Sequence, residues 1–356
     1  MDLTLTEDQQ LVQQTAREVL EQWRTRAGAR AVRGTEPGYS TELWAQMVEL
    51  GWSGLAVDSA YGGVGLGFLE QCLLFEELGR AGTPSPLLAT VACAGMPIAR
   101  FGTEPQKQRW LAAIASGQVL SHARGEVSAT GTADGYLLDG TAMFVPYATA
   151  AAALLVVAAD ATGDPAVLIV DTDTADIGVE PLEVVGIEPL YRVRFDRVPV
   201  PADRLLGGAP VAAALTAYGT AATTAEMVGG AQRVLDMTVE YATQRHQFGR
   251  PIGTFQAVQH HCADMAIDVL GARLTGYEAV WRLAAGQGAD LELSCAKAWV
   301  SEAYQRVCSL GHQVHGAIGF TAEHDLQYCL RHAVATTATF GDGDFHTARI
   351  AERLGI

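Results

Sequence analysis

Arg245-His246-Gln247-Phe248-Gly249-Arg250-Pro251-Ile252-Gly253-Thr254-Phe255-Gln256 decides how the chain is read. It reads as the start of a long helical run carrying an anchor for an anionic ligand. Arg245 supplies a guanidinium suited to bidentate contact with phosphate. Phe248 supplies a flat apolar face, Gly249 lets backbone come close to a ligand, and Pro251 forces a break before the next helix.

Helix-forming runs surround this stretch. Ala212 to Ala242, Thr254 to Ala285, Leu291 to Leu310 and Glu323 to Ala338 each carry apolar residues at helical spacing. Four long helices on short loops predict an antiparallel four-helix bundle over residues 208–356. Upstream, residues 118–207 break into short β-rich runs: Tyr136 to Leu138, Ala152 to Ala158, Ala166 to Val170, Gly178 to Val185 and Val193 to Val198. The turn dipeptides Asp134-Gly135 and Asp139-Gly140 punctuate them, and the spacing predicts a small antiparallel barrel or sandwich. Residues 1–117 read as helical. Thr6 caps a first helix with Glu7 and Asp8 in its first turn. Thr41 is expected to cap a second, which Gly51 stops, and a tight loop at Tyr61-Gly62-Gly63 precedes a third from Leu69 to Leu78. The fold class is therefore α+β, mostly α, in three blocks.

Composition narrows the function. The 356 residues carry a formal charge of -16 and only 18% charged side chains. That balance argues against nucleic acid and anionic membrane as partners. An anionic ligand needs local cations such as Arg245 to overcome the global sign. Six scattered cysteines without a C-x-x-C read as buried, reduced thiols of a cytoplasmic protein. Met1 to Gln14 is too polar for a signal peptide, and Ala148 to Ala159 is too short to span a bilayer. His260-His261 and His312-x-x-His315 lack a third ligand at a convincing offset, so no metal site is expected.

The opening stretch resembles the R-x-Q-F-G-x-P-I-x-x-F-Q signature of the acyl-CoA dehydrogenase family, flavoenzymes that desaturate acyl-CoA thioesters. Gln313-Val314-His315-Gly316-Ala317-Ile318-Gly319-Phe320 resembles the family's Q-x-x-G-G-x-G-[FY], with Ala317 in place of the second glycine. Phe101-Gly102-Thr103-Glu104-Pro105-Gln106-Lys107 and Arg194-Phe195-Asp196-Arg197-Val198-Pro199-Val200-Pro201 resemble further family segments, so the likeness covers nearly the whole chain. It implies FAD as cofactor, an acyl-CoA substrate and electron-transferring flavoprotein as acceptor. It also implies that Arg245, Gln247, Phe248, Phe255, Gln256, Gln313, His315, Gly316 and Ala317 contact the ADP part of an FAD bound mainly to a neighbouring subunit. Asp342 and Asp344 stand where the family places ribose-contacting Thr and Gln.

The desaturation chemistry needs a carboxylate to remove the α-proton. The resemblance places that Glu at one of two positions, occupied here by Phe340 and Gly219. The flavin-contacting T-E-P-x-A-G-S-D has no counterpart between Gly117 and Gly140. Phe144-Val145-Pro146-Tyr147 replaces a segment whose hydroxyl bonds the flavin. An intact ADP side beside a degenerate isoalloxazine side resembles the non-catalytic subunit of α2β2 acyl-CoA dehydrogenases of steroid side-chain degradation, with a paralogous chain as partner. Two alternatives stand beside this reading. One is a self-sufficient homomer using a displaced acid, with Glu226, Asp342 and Asp344 as candidates. The other is a scaffolding subunit without redox role.

Overall fold

A computed structural model describes residues 4–174 and 176–356. Met1 to Leu3, the first part of the polar start of the chain, lie outside them. Helix α1 (Glu7–Ala27) begins at a capping box: the Thr6 hydroxyl accepts from Gln9 N at 3.3 Å, and the Gln9 side chain accepts from Thr6 N at 3.0 Å. Then come α2 (Ala29–Val32), α3 (Thr41–Glu49) and α4 (Phe68–Ala81). Ser40, not Thr41, caps α3, its Oγ accepting from Leu43 N at 3.2 Å. Thr41 is already helical, and a cap must lie one residue earlier to reach the free N–H groups. Beyond α4, a π-helical stretch (Leu88–Gly95) leads into α5 (Met96–Phe101) and α6 (Glu104–Ala115).

The middle of the chain forms β1 (Leu120–Gly131), β2 (Gly135–Pro146), β3 (Ala153–Ala159), β4 (Pro165–Asp171), β5 (Ile177–Pro181), β6 (Leu190–Pro201) and β7 (Leu205–Gly207). These make one seven-stranded sheet in the order β5-β6-β2-β1-β3-β4-β7, with β5 and β7 as its edges. This differs from the expected antiparallel barrel or sandwich. The strand at the centre, β1, pairs antiparallel with β2 but parallel with β3, so the sheet is mixed. Strand β1 carries Arg124 and Glu126 among its buried Ala123, Val127 and Ala129, which hid it from a hydrophobicity reading.

The remainder is helical: α7 (Ala209–Gln244), α8 (Gln256–Ala284), α9 (Asp290–His315), α10 (Leu326–Ala338) and α11 (Gly343–Leu354). Helix α11 was not foreseen; Asp342 starts it as N-cap. Helices α4 and α7 meet backbone to backbone. A Cβ at Gly79 would lie 1.9 Å from the Glu226 carbonyl oxygen, and one at Gly229 1.8 Å from that of Glu76. One apolar core joins the N-terminal helices, the sheet and the first half of α7; a second lies among α7, α8, α9 and α10. Among the described residues, no helix is long and apolar enough to cross a membrane.

Candidate functional site: an exposed turn and a packed aromatic ring

The decisive stretch is a turn between two helices rather than the start of one. Helix α7 ends at Gln244, and Arg245 is extended. His246 then pairs with Pro251 and Gln247 with Arg250, forming β8 (His246–Gln247) and β9 (Arg250–Pro251). Phe248 (φ 52°) and Gly249 (φ 78°) make the two-residue connection, a geometry in which both central residues take positive φ. The turn holds the Phe248 side chain 91% exposed, with its ring edge-on to Phe255 at 6.1 Å. Arg250 covers Phe255 at 4.2 Å. Arg245 is exposed and has no acidic partner among the described residues.

The second segment expected to contact the cofactor lies at the same end of the bundle. Gln313, Gly316 and Ala317 are exposed, as is Gln256 at the start of α8. Gly316 has φ 64°, and a Cβ there would meet nothing within 4 Å. His315 turns inward instead. Its Nδ1 lies 2.8 Å from the Gly311 carbonyl, and its ring stacks on Tyr241 at 4.5 Å. It fastens this loop to α7 and does not share the exposed side of Gln313. Burial, with His324 and His312 nearby, lowers its pKa. His312 likewise points its Nδ1 at the Cys308 carbonyl, 2.8 Å away. No group of three or more metal-ligating side chains gathers among the described residues. The thiols are unpaired; Cys72, Cys93 and Cys308 are buried, whereas Cys295 is exposed, contrary to a uniformly buried set.

The two positions expected to carry a catalytic carboxylate come together in space. Phe340 is 8% exposed with φ 60°, and its ring lies against Gly219. A Cβ at 219 would sit 2.3 Å from Phe340 Cζ. The ring thus fills the space a side chain at 219 would need. His122 stacks on it at 5.6 Å, and the Arg124 guanidinium lies 5.2 Å from its centre. Burial, helped by Arg124, pushes the His122 pKa down to about 3.

A buried lysine holds this arrangement in place. Lys297 is 0% exposed. Its Nζ donates to Ser301 Oγ at 3.2 Å and to the carbonyls of Thr336, Thr337 and Gly341 at 3.0, 2.9 and 2.9 Å. It therefore ties the end of α10 to the residue after Phe340. Burial draws its pKa down to about 7, against the charge of Asp342. His346 adds a contact from Nε2 to the Phe340 carbonyl at 3.2 Å. Nothing in the sequence pattern pointed to Lys297 or His346, because both act on backbone brought close only by the fold.

The candidate displaced acids are engaged elsewhere. Asp342 caps α11, its Oδ1 accepting from Phe345 N at 2.9 Å, and Asp344 is exposed in the first turn of that helix. Glu226 is buried, 3.8 Å from His332 Nε2. His332 in turn lies 3.3 Å from Tyr304 Oη. Burial works to lower the His332 pKa, but the hydrogen bond and charge of Glu226, with the charge of Glu188, raise it overall. Burial and then Glu226 hold the Glu188 carboxyl far above the usual range, and Tyr147 donates to it at 3.3 Å. Glu226 thus belongs to a buried carboxylate–imidazole cluster. On the sheet, Phe144 is 62% exposed at φ 59°, the Pro146 carbonyl accepts from Ser121, and Tyr147 is buried.

Comparison with known proteins agrees with this architecture. Residues 6–118 match the family model described as acyl-CoA dehydrogenase, N-terminal domain, and residues 207–355 the model for the C-terminal domain. The chain is 33% identical to acyl-CoA dehydrogenase FadE27 of Mycobacterium tuberculosis, covering 99% of both chains. Among solved structures it is similar to a chain of the ChsE4-ChsE5 complex from Mycobacterium tuberculosis: TM-score 0.95, 34% identity, 100% of this chain and 99% of that one. It is also similar to a chain of the Tcur3481-Tcur3483 steroid ACAD, G363A variant: TM-score 0.90, 31% identity, 99% of each.

Proposed function

This chain belongs to the acyl-CoA dehydrogenase family, and from that premise we propose that it is the non-desaturating subunit of a heteromeric enzyme, completing the FAD site of a paralogous partner. The family's members are FAD-dependent oxidoreductases acting on the CH–CH bond of acyl-CoA thioesters. The observation that carries the proposal is the Phe340 ring packed over Gly219. Both positions expected to carry the base lack a carboxylate, and the space between them is filled.

The residues present fit one end of the cofactor and not the other. At the ADP end, Arg245 has no acidic partner among the described residues, Phe248 is an exposed ring, and Gly316 leaves its backbone open. Exposed apolar rings and uncompensated cations at one bundle end suit a ligand arriving on another chain. Gln247, Phe255, Gln256, Gln313 and Ala317 complete this clamp, with His315 positioning it from behind. At the isoalloxazine end, Pro146 offers no hydroxyl or N–H, and Phe340 and His122 occupy the neighbouring space. FAD held by the partner would supply the redox chemistry; this chain's part is to bind and orient its phosphates and adenosine.

Assembly has its own support. Ile267, Leu270 and Leu274 on α8 are 66%, 56% and 41% exposed, and Trp281 further along is 37% exposed. Such a row marks a contact face. Two of the similar structures carry two different names in one complex or enzyme, and one is called a steroid ACAD. A bulky, steroid-type acyl-CoA is therefore the substrate class we assign to the complex, with electron-transferring flavoprotein as its acceptor.

The test is the flavin-to-protein absorbance ratio of the chain purified alone and with its co-expressed paralogue. The expected result is little flavin alone, a yellow complex on co-expression, and reduced occupancy when Arg245→Ala is introduced. Stoichiometric flavin in the chain alone, or unchanged occupancy in the variant, would overturn the proposal.

A further inference from the structure

Four arginines of this acidic chain converge where α1, α2, α4, α7 and the segment before α10 meet. An open groove of about 470 Å³ lies there, lined by Arg24, Arg30, Arg233, His315 and His324, with Glu240, Glu323 and Asp325 among its walls. It shares Arg24, Arg30, Arg233 and Asp325 with a small inner cavity of about 50 Å³, to which Arg80 is added and whose deep wall carries His332. With a formal charge of -16 over the whole chain, such a concentration of guanidinium groups needs a local reason.

The local acids account for three of the four. Asp325 bridges Arg24 at 3.3 Å and Arg30 at 2.8 Å; Arg24 also pairs with Glu21 at 2.9 Å. Asp236 takes Arg80 at 2.8 Å. Arg233, half-buried at the junction of groove and cavity, has no acidic partner and no hydrogen bond among the described residues. Glu240, Glu323 and Asp325 share the groove walls, yet none is an ion-pair partner of Arg233 among the described residues, so its N–H donors remain open to an anion.

We propose that Arg233, flanked by Arg24 and Arg30, seats the phosphate of a phosphomonoester whose organic part lies in the groove. A guanidinium fork matches phosphate geometry, and two neighbouring forks held by one shared carboxylate can turn toward a tetrahedral dianion. The inner cavity is of the size of a small anion or a few waters, whereas the groove is far larger than phosphate, so the ligand carries a body. The partly exposed Tyr241 ring on the groove wall offers that body an aromatic surface. The groove adjoins the flavin clamp through Gln244 and His315, but Arg245, Phe248 and Gln313 do not line it.

Calorimetric titration of the purified protein with AMP, inorganic phosphate and adenosine tests this. AMP is expected to bind, adenosine not, with AMP binding at least tenfold weaker in Arg233→Met and largely kept in Arg233→Lys. Tighter binding of AMP than of phosphate supports a monoester; phosphate binding as tightly as AMP would overturn the body-bearing ligand. Arg245→Ala is expected to leave AMP affinity unchanged, which separates this site from the clamp. No binding of either phosphate species, equal affinity in Arg233→Met, or a loss confined to Arg245→Ala would overturn the assignment. If Arg233→Met does not fold, Arg24→Met carries the same expectation, with circular dichroism confirming the fold.

Discussion

The packing of Phe340 on Gly219 makes a signed prediction that can be followed through four proteins. Adding a methyl group at 219 brings Cβ to 2.3, 2.6 and 2.7 Å from three ring atoms. Such overpacking costs about 1–3 kcal/mol, against which the better helix propensity of alanine returns only about 0.5–1 kcal/mol. Gly219→Ala should therefore be destabilising in the native background. Phe340→Ala removes a nearly buried ring and should cost about 3–5 kcal/mol. In the Phe340→Ala background the methyl group at 219 enters vacated space, so the same Gly219→Ala change should be neutral or stabilising. The coupling between the two sites is then on the order of 1–3 kcal/mol. Urea unfolding midpoints of the native protein, both single variants and the double variant measure it, with the slope checked for constancy. Equal destabilisation by Gly219→Ala in both backgrounds would show that the ring does not occupy the space assigned to it. It would also remove the main argument that this chain lacks a base site.

Further predictions concern the same region. Lys297→Met leaves the Thr336, Thr337 and Gly341 carbonyls without their donor; at about 1–3 kcal/mol for each unsatisfied buried group, the urea midpoint should fall clearly, and an unchanged midpoint would show that the lysine does not hold the loop. His122 and His346 stay neutral in the fold, with pKa values lowered to about 3 and about 4 from 6.5 by burial. The unfolded chain takes up those protons first, so their contribution is complete above pH 6.5 and is lost as pH falls toward 4. His346→Gln should flatten the stability profile over that interval, and an unaltered slope would contradict the assignment.

The three-block order of the fold was legible because long helices, turn dipeptides and strand runs each have their own period. Signals failed where residues served two demands. Strand β1 carries charge among its buried positions, and the Arg245–Gln256 stretch mixes strand, turn and helix within a dozen residues. The Arg245–Gln256 and Gln313–Phe320 stretches stood out as local motifs, but the inward turn of His315 did not, since its partner Tyr241 lies on another helix. The Phe340–Gly219 contact, the hold of Lys297 on the loop and the lack of an acidic partner for Arg233 among the described residues are tertiary facts. They join helices that the sequence presents separately, and one sequence contains no record of which helix faces which.

The backbone contact between α4 and α7 bears on how the chain is made. Gly79 and Gly229 let the two helices touch without side chains between them, so the partner surface for α4 lies far downstream. On the ribosome, the N-terminal helices emerge long before residue 229 does. The side of α4 that meets α7, around Gly79, must wait uncovered through synthesis of the entire sheet. A nascent chain with that delay is exposed to misassociation. Its yield in the cell therefore depends on what shields α4 during those seconds, and truncations ending before α7 are poor vehicles for studying the N-terminal part alone.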